Sequence, residues 1–318
     1  MGAAAEAVST RPRRRPLTWR RARRGSVPYL LIFPVIAVMA AILAYPLYQL
    51  VRLAFQRYGL PELISHKGVY VGFANFTSVL HDGIFWHTLL RTVAFTVANV
   101  GLTIVLGTLM ALLLVRVSKW VRILITIGLV LVWSMPPVVA VQVWNWMTNV
   151  QNGVLNYILT TLHFGNFDQH NWFASPFSQL AVVTTLVVWG ALPFVAITVY
   201  AALSQVPHEL VEAAQIDGAR AWQVFKDVTL PVIQPVLLIL TSLSILWDFG
   251  VFTQAYLLIG QPQILPSNYL MSVYLWEEAY FKNDYGRGAA ISILMLASVA
   301  LLSLMYVRRM LRIGEVDR

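Results

Sequence analysis

Cysteine is absent from this sequence, and charged residues are scarce. Without cysteine the chain forms no disulfide, offers no thiolate to a metal and has no cysteine nucleophile. Only 12% of the 318 residues are charged and 58% are hydrophobic, whereas a soluble domain carries about 25% charged residues. The hydrophobic residues fall in runs of about 20 or more, long enough to cross a bilayer as helices. The composition therefore predicts an all-α integral membrane protein.

Motifs for nucleotide binding and catalysis are also missing. No Gly-x-x-x-x-Gly-Lys-Ser/Thr segment occurs, so this chain does not itself bind ATP by that route. The six histidines show no metal-ligand spacing on one helix, and we expect no metal site. The acids of the predicted outer loops are scattered rather than paired. An intramembrane sugar-transferring enzyme and a proton-coupled carrier, which would want more than one buried acid, remain only as alternatives.

The hydrophobic runs predict six transmembrane helices, at residues 28–51, 89–115, 121–148, 179–203, 232–259 and 288–307. A basic tail at 1–27, expected to be disordered, precedes this membrane domain of residues 28–310, and a short tail at 311–318 follows it. With the N-terminus inside, the inner segments hold 17 Lys and Arg and the outer segments hold five. By the positive-inside rule, both termini are cytoplasmic. The net charge of +9 is concentrated at the N-terminus and is therefore interpreted as a topology signal rather than a nucleic-acid site.

The segment 204–231, between the fourth and fifth spans, is polar and acidic where a short basic loop would suffice. Glu209 and Glu212 lie in the first turns of a predicted helix, where the helix dipole stabilises negative charge. Gly218 permits a chain reversal that a residue with a Cβ would resist, and Leu230–Pro231 would end a second helix. The pattern predicts two short helices, hinged at Gly218, that lie on the inner face of the membrane and bind a partner protein. An amphipathic helix on lipid is the alternative, although such helices usually present Lys and Arg.

The same segment resembles the EAA loop of ABC-importer permeases, with Glu212-Ala213-Ala214, Asp217-Gly218-Ala219 and Leu230-Pro231 at the family's spacing. In that family the loop docks on a cytoplasmic ATPase. The resemblance implies that ATPase coupling is carried by Glu209, Glu212, Ala213, Ala214, Asp217, Gly218, Ala219, Phe225, Leu230 and Pro231.

Further segments resemble the binding-protein-dependent sugar permeases of the maltose-transporter type, and in particular the first permease of the pair. The similar segments are Gly72-Phe73-x-Asn75-Phe76, Val143-Trp144-Asn145-Trp146-Met147, Val188-Trp189, Trp247-Asp248-Phe249 and Tyr285-Gly286-x-Gly288. They occur in order, and the resemblance covers residues 28–310. It implies a multi-pass permease subunit of an ATP-driven importer in the bacterial plasma membrane, working by alternating access and not itself an enzyme.

The resemblance also implies the partners and the cargo. The partners are a second, related permease, two copies of a cytoplasmic ABC ATPase, an extracytoplasmic binding lipoprotein or periplasmic binding protein, and membrane lipid. This chain would hold no cofactor, because ATP and Mg would be bound by the partner ATPase. The cargo would be a di- or oligosaccharide or an amino-sugar oligomer. Glycerol 3-phosphate or another small polar solute is the alternative.

Asp248 is the one acid deep inside an apolar run. A carboxylate there costs about 2.5–3.5 kcal/mol on insertion scales, so it should face protein or water. It is either a polar group on the solute pathway or a packing or near-surface residue. Other candidates for the solute pathway, each with packing or the aromatic belt as the alternative, are Trp144, Asn145, Trp189, Trp247, Gln254 and Tyr256. Pro136–Pro137 and Pro193 interrupt the third and fourth spans, where a broken helix would mark a solute site and a plain kink is the default.

Overall fold

The computed structural model describes residues 19–259 and 265–316, which are mainly helical. The helices are α1 (Trp19–Ala54), α2 (Leu60–Ser65), α3 (Ala74–Leu80), α4 (Gly83–Arg116), α5 (Lys119–Trp133), α6 (Pro137–Met147), α7 (Val154–Thr161), α8 (Pro176–Leu203), α9 (His208–Ile216), α10 (Ala221–Gln223), α11 (Leu230–Phe249), α12 (Thr253–Ile259), α13 (Met271–Trp276) and α14 (Tyr285–Val316). Single turns of π-helix at Val224–Thr229 and Glu277–Phe281 and of 3₁₀ helix at Pro266–Asn268 join neighbouring helices. Strands β1 (Gln56–Arg57) and β2 (Val69–Tyr70) pair antiparallel, with Gln56 opposite Tyr70.

The chain divides into two compact units, Met1–Arg52 and Leu53–Arg318. In the first unit, α1 begins at Trp19, so residues 19–27 of the predicted basic tail are helical, while residues 1–18 lie outside the described part. From Leu31 to Ala54 this helix has a mean hydropathy of 2.2. A helix that is apolar on all sides is typical of a membrane span.

The six-span, all-α prediction is confirmed by length and composition. Among the described residues, five helices are long and apolar enough to cross a membrane, and α5 with α6 makes a sixth if this bent pair is one span. The bend between α5 and α6 is 101°, so the third span is broken rather than kinked. Two adjacent prolines cause the break, because neither supplies an N–H to continue the helix. By contrast, α8 continues through Pro193 without interruption.

Two span ends differ from the prediction. The second span begins at Gly83 rather than at residue 89, because Asp82 caps it: Ile84 N donates to Asp82 Oδ1 at 2.9 Å. A side-chain acceptor at this position satisfies an otherwise unpaired helix donor. The fifth span ends at Phe249, and Gly250 separates it from the short helix α12. A single span over residues 232–259 is therefore wrong, because residues 250–252 are not helical.

The second unit is organised around the packing of α4 on α8. Gly107 makes the close approach possible, since a Cβ there would lie 2.6 Å from Val195 Cγ1 and 3.3 Å from Ala196 N. Small residues allow close packing between membrane helices, whose association in lipid depends on van der Waals contact rather than on the hydrophobic effect. Polar side chains also line the buried face of α4, at Thr88, Thr92, Thr96, Asn99 and Thr103. Thr92 Oγ1 accepts a hydrogen bond from Met271 N at 2.9 Å and so ties α13 to α4.

An ion cluster joins the start of α4, the segment after α13 and the start of α14. Arg287 pairs with Asp82 through Nη2 and with Glu278 Oε2 at 3.3 Å, while Lys282 Nζ lies 2.6 Å from Glu278 Oε1. The Glu278 side chain is only 3% exposed. Burial raises the pKa of Tyr274 to about 12, so its hydroxyl stays protonated and donates to Asp82 Oδ2 at 3.1 Å. These acids therefore serve as structural ion-pair partners.

Candidate coupling surface and solute pocket

Helix α9 ends in a hydrogen-bonded motif that requires Gly218. Ala219 N donates to Ala214 O at 2.9 Å, and Gly218 N donates to Gln215 O at 3.0 Å. These are the paired bonds of a Schellman motif, in which the residue after the cap takes a left-handed conformation. Gly218 has φ +83°, which an L residue with a Cβ adopts only at a cost. The predicted hinge at Gly218 is thus a defined helix terminator.

The chain after Gly218 forms no second separate helix, and this corrects the prediction for Leu230–Pro231. Helix α10, the π-helical turn and α11 run as one helical segment from Ala221 to Phe249. Leu230 N bonds to Phe225 O, five residues back. The π-turn changes the bonding register immediately before Pro231, which has no N–H to donate. The part of the loop from Ala221 onward is therefore continuous with the fifth span.

The loop presents an exposed surface of mixed apolar and acidic character, which we call the coupling surface and define by Glu209, Glu212, Ile216, Asp217 and Trp222. All five side chains are exposed, with Ile216 at 85% and Trp222 at 70%. No ion pair within the described part of the chain involves these carboxylates. A large isoleucine and a tryptophan so fully uncovered beside acids are typical of a surface that binds a protein partner.

The remaining residues predicted for coupling fall into two groups. Ala213, Gly218 and Pro231 are exposed, while Ala214, Ala219, Phe225 and Leu230 are partly buried. Phe225 packs behind the surface, with its ring centroid 5.7 Å from that of Trp222. The exposed apolar area of the loop comes mainly from Leu210, Ile216 and Trp222. None of these three residues was predicted for coupling.

A pocket of about 510 Å³ lies at the end of α11, beside the break between α5 and α6. Asp248 lines it and is only 5% exposed, and its Oδ2 atom has no hydrogen-bond partner in the described structure. A buried polar atom without a partner is costly unless something else satisfies it. Asp248 thus contributes a carboxylate to the pocket lining, and no helix-packing hydrogen bond uses its Oδ2 atom within the described residues.

The pocket brings together four of the seven residues predicted for the solute pathway: Trp189, Trp247, Asp248 and Gln254 line it. Trp144 lies behind the wall, buried, with its ring centroid 6.2 Å from that of Trp189. Tyr256 is stacked on Phe252 with centroids 5.0 Å apart. Neither of these two lines the pocket, and neither does Asn145.

Three further aromatic residues line the pocket that the sequence reasoning did not select. Trp133 and Phe194 stack with centroids 5.9 Å apart, and Phe194 meets Trp247 edge to face at 5.5 Å. Phe252 contributes a third ring. Trp133 lies three residues before Pro136, and Phe194 directly follows Pro193. This proximity to the prolines was the only sign in the sequence that they could line a pocket. The result is an aromatic box with one carboxylate, and no Lys, Arg or His is among its described lining residues.

Metal-binding clusters are absent from the part of the chain that the structure describes, since no three His, Asp or Glu residues converge there. A second, smaller pocket of about 360 Å³ lies at the start of α7 and the loops on either side of that helix, lined among others by Asn156, Tyr157 and Asp168. It is separate from the aromatic box and shares no lining residue with it.

Known proteins are similar to this chain in sequence and in fold. The profile of the family described as "Binding-protein-dependent transport system inner membrane component" matches residues 103–312. The diacetylchitobiose uptake system permease protein DasB of Streptomyces coelicolor is 39% identical, over 92% of this chain and 89% of that protein. The trehalose/maltose transport system permease protein MalF of Thermococcus litoralis is 31% identical, over 95% of this chain and 97% of that protein. A chain of a bacterial ABC transporter that imports the acidic polysaccharide alginate superposes with a TM-score of 0.78 at 21% identity, covering 93% of this chain and 98% of that one.

Proposed function

The chain belongs to the family of binding-protein-dependent transport system inner membrane components, and we propose that it is a permease subunit of an ATP-driven importer that carries a neutral carbohydrate. The observation that carries the proposal is the coupling surface, because its Trp222 lies on the continuous helix that extends to Asp248. One end of this span binds the partner and the other end lines the pocket. About 18 residues separate Leu230 from Asp248, or about 27 Å at 1.5 Å per residue.

The coupling surface fits a cytoplasmic ATPase as its partner. Ile216 and Trp222 supply apolar anchors, and Glu209, Glu212 and Asp217 surround them with acceptors. Buried aromatic anchors surrounded by polar groups are the usual composition of a strong protein interface. When the ATPase closes on ATP and Mg, its movement would displace α9, and the helix from Ala221 to Phe249 would carry the displacement to the pocket. ATP hydrolysis belongs to that partner and not to this chain.

The pocket fits a neutral sugar better than a phosphorylated solute. Aromatic rings suit the C–H faces of pyranose rings, and Asp248 and Gln254 offer hydrogen-bonding groups to hydroxyls or amides. A phosphate would require Lys or Arg, which are absent from the described lining. The names of the relatives, a diacetylchitobiose system and a trehalose/maltose system, support the same class of cargo. Glycerol 3-phosphate is accordingly the weaker alternative.

The assembly that this function requires has four further components. A second permease of the same family completes the pathway, two copies of the ATPase bind the coupling surfaces, and an extracytoplasmic binding protein delivers the sugar. The family name itself specifies dependence on a binding protein. Lipid surrounds the spans of this multi-pass inner-membrane protein. Both termini lie in the cytoplasm in this proposal, which places the coupling surface on the ATPase side.

The test is purification of the tagged chain from its native membrane in gentle detergent, with mass spectrometry of the proteins that accompany it. We expect an ABC ATPase, a second permease and a binding protein with the wild-type chain. Trp222→Ala removes an exposed interface anchor and should weaken ATPase retention about 30-fold, the effect of a 2 kcal/mol hot spot.

The matched control for this test is Trp120→Ala, because Trp120 is also exposed, at 77%, but lies outside the loop. This variant should retain the ATPase as the wild type does. Absence of any ATPase from the wild-type preparation would refute the importer assignment. If Trp222→Ala retains as much ATPase as the wild type, the coupling surface is not the ATPase-binding site. Uptake of radiolabelled diacetylchitobiose, maltose and trehalose by the native host then tests the cargo class, and uptake of none of them would overturn the carbohydrate assignment.

A further inference from the structure

A chain of aromatic rings leads away from the pocket toward the segments at the ends of α1 and α14. We call it the aromatic ladder, and its members are Phe252, Tyr256, Trp276, Tyr280, Tyr285 and Tyr58. Successive centroids lie 5.0 Å apart for Phe252 and Tyr256, 5.8 Å for Tyr256 and Trp276, and 4.2 Å for Trp276 and Tyr280. The series continues at 6.3 Å to Tyr285 and 6.5 Å to Tyr58. Every step is within the range of direct ring contact.

The first rung of the ladder belongs to the pocket. Phe252 lines the aromatic box and also contacts Trp276 with centroids 5.3 Å apart. Tyr280, the fourth rung, is 60% exposed. The ladder thus connects the pocket to an exposed tyrosine without a gap between rings. Such continuity is not required of an aromatic belt, whose rings anchor independently at the membrane surface.

The far end of the ladder lies in segments that the topology assigns to the outer side. Tyr58 follows β1, after the first span, and Tyr285 begins the last helix. The two segments are held together, since Gly286 N donates to Tyr58 O at 3.1 Å and a Cβ on Gly286 would lie 2.2 Å from Gln56 O. The ion cluster at Arg287 secures the same region. The rings are therefore fixed on a rigid part of the structure, as a binding surface requires.

Polar groups accompany the apolar rings. Among residues 19–259 and 265–316, the hydroxyls of Tyr256 and Tyr280 have no hydrogen-bond partner of their own, and neither has that of Tyr58. A tyrosine with an open ring edge and an unengaged hydroxyl can contact both the C–H face and the hydroxyls of a sugar. The ladder offers an unengaged hydroxyl at three of its six rungs rather than at one.

We propose that the aromatic ladder is the access track along which the sugar passes between the outer face and the pocket, each pyranose ring contacting one or two rungs at a time. The inference rests on the proposed carbohydrate function. Several weak contacts suit this role better than one strong one, because a transported solute must bind well enough to enter and weakly enough to leave. A chain of sugars should span more rungs than a disaccharide and so depend on them more.

The experiment measures sugar binding to the purified complex by saturation-transfer NMR, without the binding protein. The probes are diacetylchitobiose and maltose, each with its tetrasaccharide homologue. Tyr280→Leu keeps an apolar side chain but removes the ring, and we expect its Kd for the tetrasaccharide to rise about three- to tenfold, the loss of one ring contact. The disaccharide, which the pocket alone can hold, should change less. Tyr280→Phe keeps the ring and should remain closer to the wild type.

Phe177→Leu is the matched control, because Phe177 is 85% exposed at the start of α8 and does not belong to the ladder. It should leave both Kd values unchanged, and the amount of co-purified ATPase should be equal in all variants. A tetrasaccharide Kd in Tyr280→Leu equal to that of the wild type, or an equal rise in Phe177→Leu, would overturn the access track while the carbohydrate function stands. Failure of the wild-type complex to bind any of these sugars would instead refute the proposed function.

Discussion

Replacement of Gly218 tests whether the end of α9 couples the ATPase to transport. At φ +83° the left-handed backbone costs a residue with a Cβ about 1–2 kcal/mol. No heavy atom lies within 4 Å of the position that a Cβ would occupy, so the cost of Gly218→Ala is conformational and not a clash. The helix terminator, with its hydrogen bond from Ala219 N to Ala214 O, would be populated about 5- to 30-fold less relative to other loop conformations.

A graded series at Gly218 separates this mechanism from simple misfolding. Asparagine tolerates the left-handed region better than alanine, so Gly218→Asn should fall between the wild type and Gly218→Ala. Proline, with φ held near −65°, cannot adopt +83°, and Gly218→Pro should abolish transport while the protein still inserts in the membrane. Gly128→Ala is the control, because Gly128 is helical, within α5, and its Cβ position is equally empty.

The assay compares sugar uptake and co-purified ATPase at equal expression. We expect both to decrease in the order wild type, Gly218→Asn, Gly218→Ala, Gly218→Pro, and to be unchanged in Gly128→Ala. Normal uptake by Gly218→Pro at normal expression would refute the coupling role. An equal loss in Gly128→Ala would show that the membrane domain is intolerant in general, and the argument from backbone conformation would then be wrong.

Three other substitutions probe the pocket, the core and the ion cluster. Asp248→Asn should reduce uptake at least about tenfold, the value of one charged hydrogen bond, with ATPase co-purification retained; unchanged uptake would assign the residue to packing. Gly107→Leu should lower the yield of folded protein in detergent by overpacking worth about 1–3 kcal/mol, while Gly101→Leu, where the Cβ position is empty, should behave as the wild type; equal yields would exclude the close approach. Arg287→Met removes the ion-pair partner of Asp82 and leaves Glu278 paired with Lys282 alone, and it should destabilise the fold by about 1–3 kcal/mol, seen as a lower unfolding temperature. Arg57→Met, at an exposed pair, should change that temperature little, and the reverse order would contradict the ion-cluster analysis.

The sequence was informative wherever the physics is local. Long apolar runs predict spans because every backbone polar group in lipid must be satisfied within a helix, and this holds for α4, α8 and α14. Gly218 was predicted to permit a chain reversal because its conformational freedom is a property of the residue itself. Asp248 was recognised because a carboxylate in an apolar run is costly wherever it lies.

Predictions failed where partners distant in sequence decide the outcome. Two adjacent prolines indicate an interruption, but the 101° angle between α5 and α6 depends on the packing around the break. The π-turn that makes the loop continuous with α11 depends on a change of hydrogen-bond register that composition does not reveal. Three residues that line the pocket were not predicted for the same reason. Trp133, Phe194 and Phe252 come from α5, α8 and the segment before α12, and only folding brings them together.

The sequence by itself determined the class of the protein, the number of its spans and the position of the polar loop proposed for coupling, because hydrophobicity and glycine conformation act residue by residue. Tertiary structure alone decided which aromatic residues surround Asp248 and that others stack in a ladder from the pocket outward. Ring contacts join residues as far apart in the chain as Tyr58 and Tyr285. Such contacts depend on helix packing, and no local pattern in the sequence specifies them.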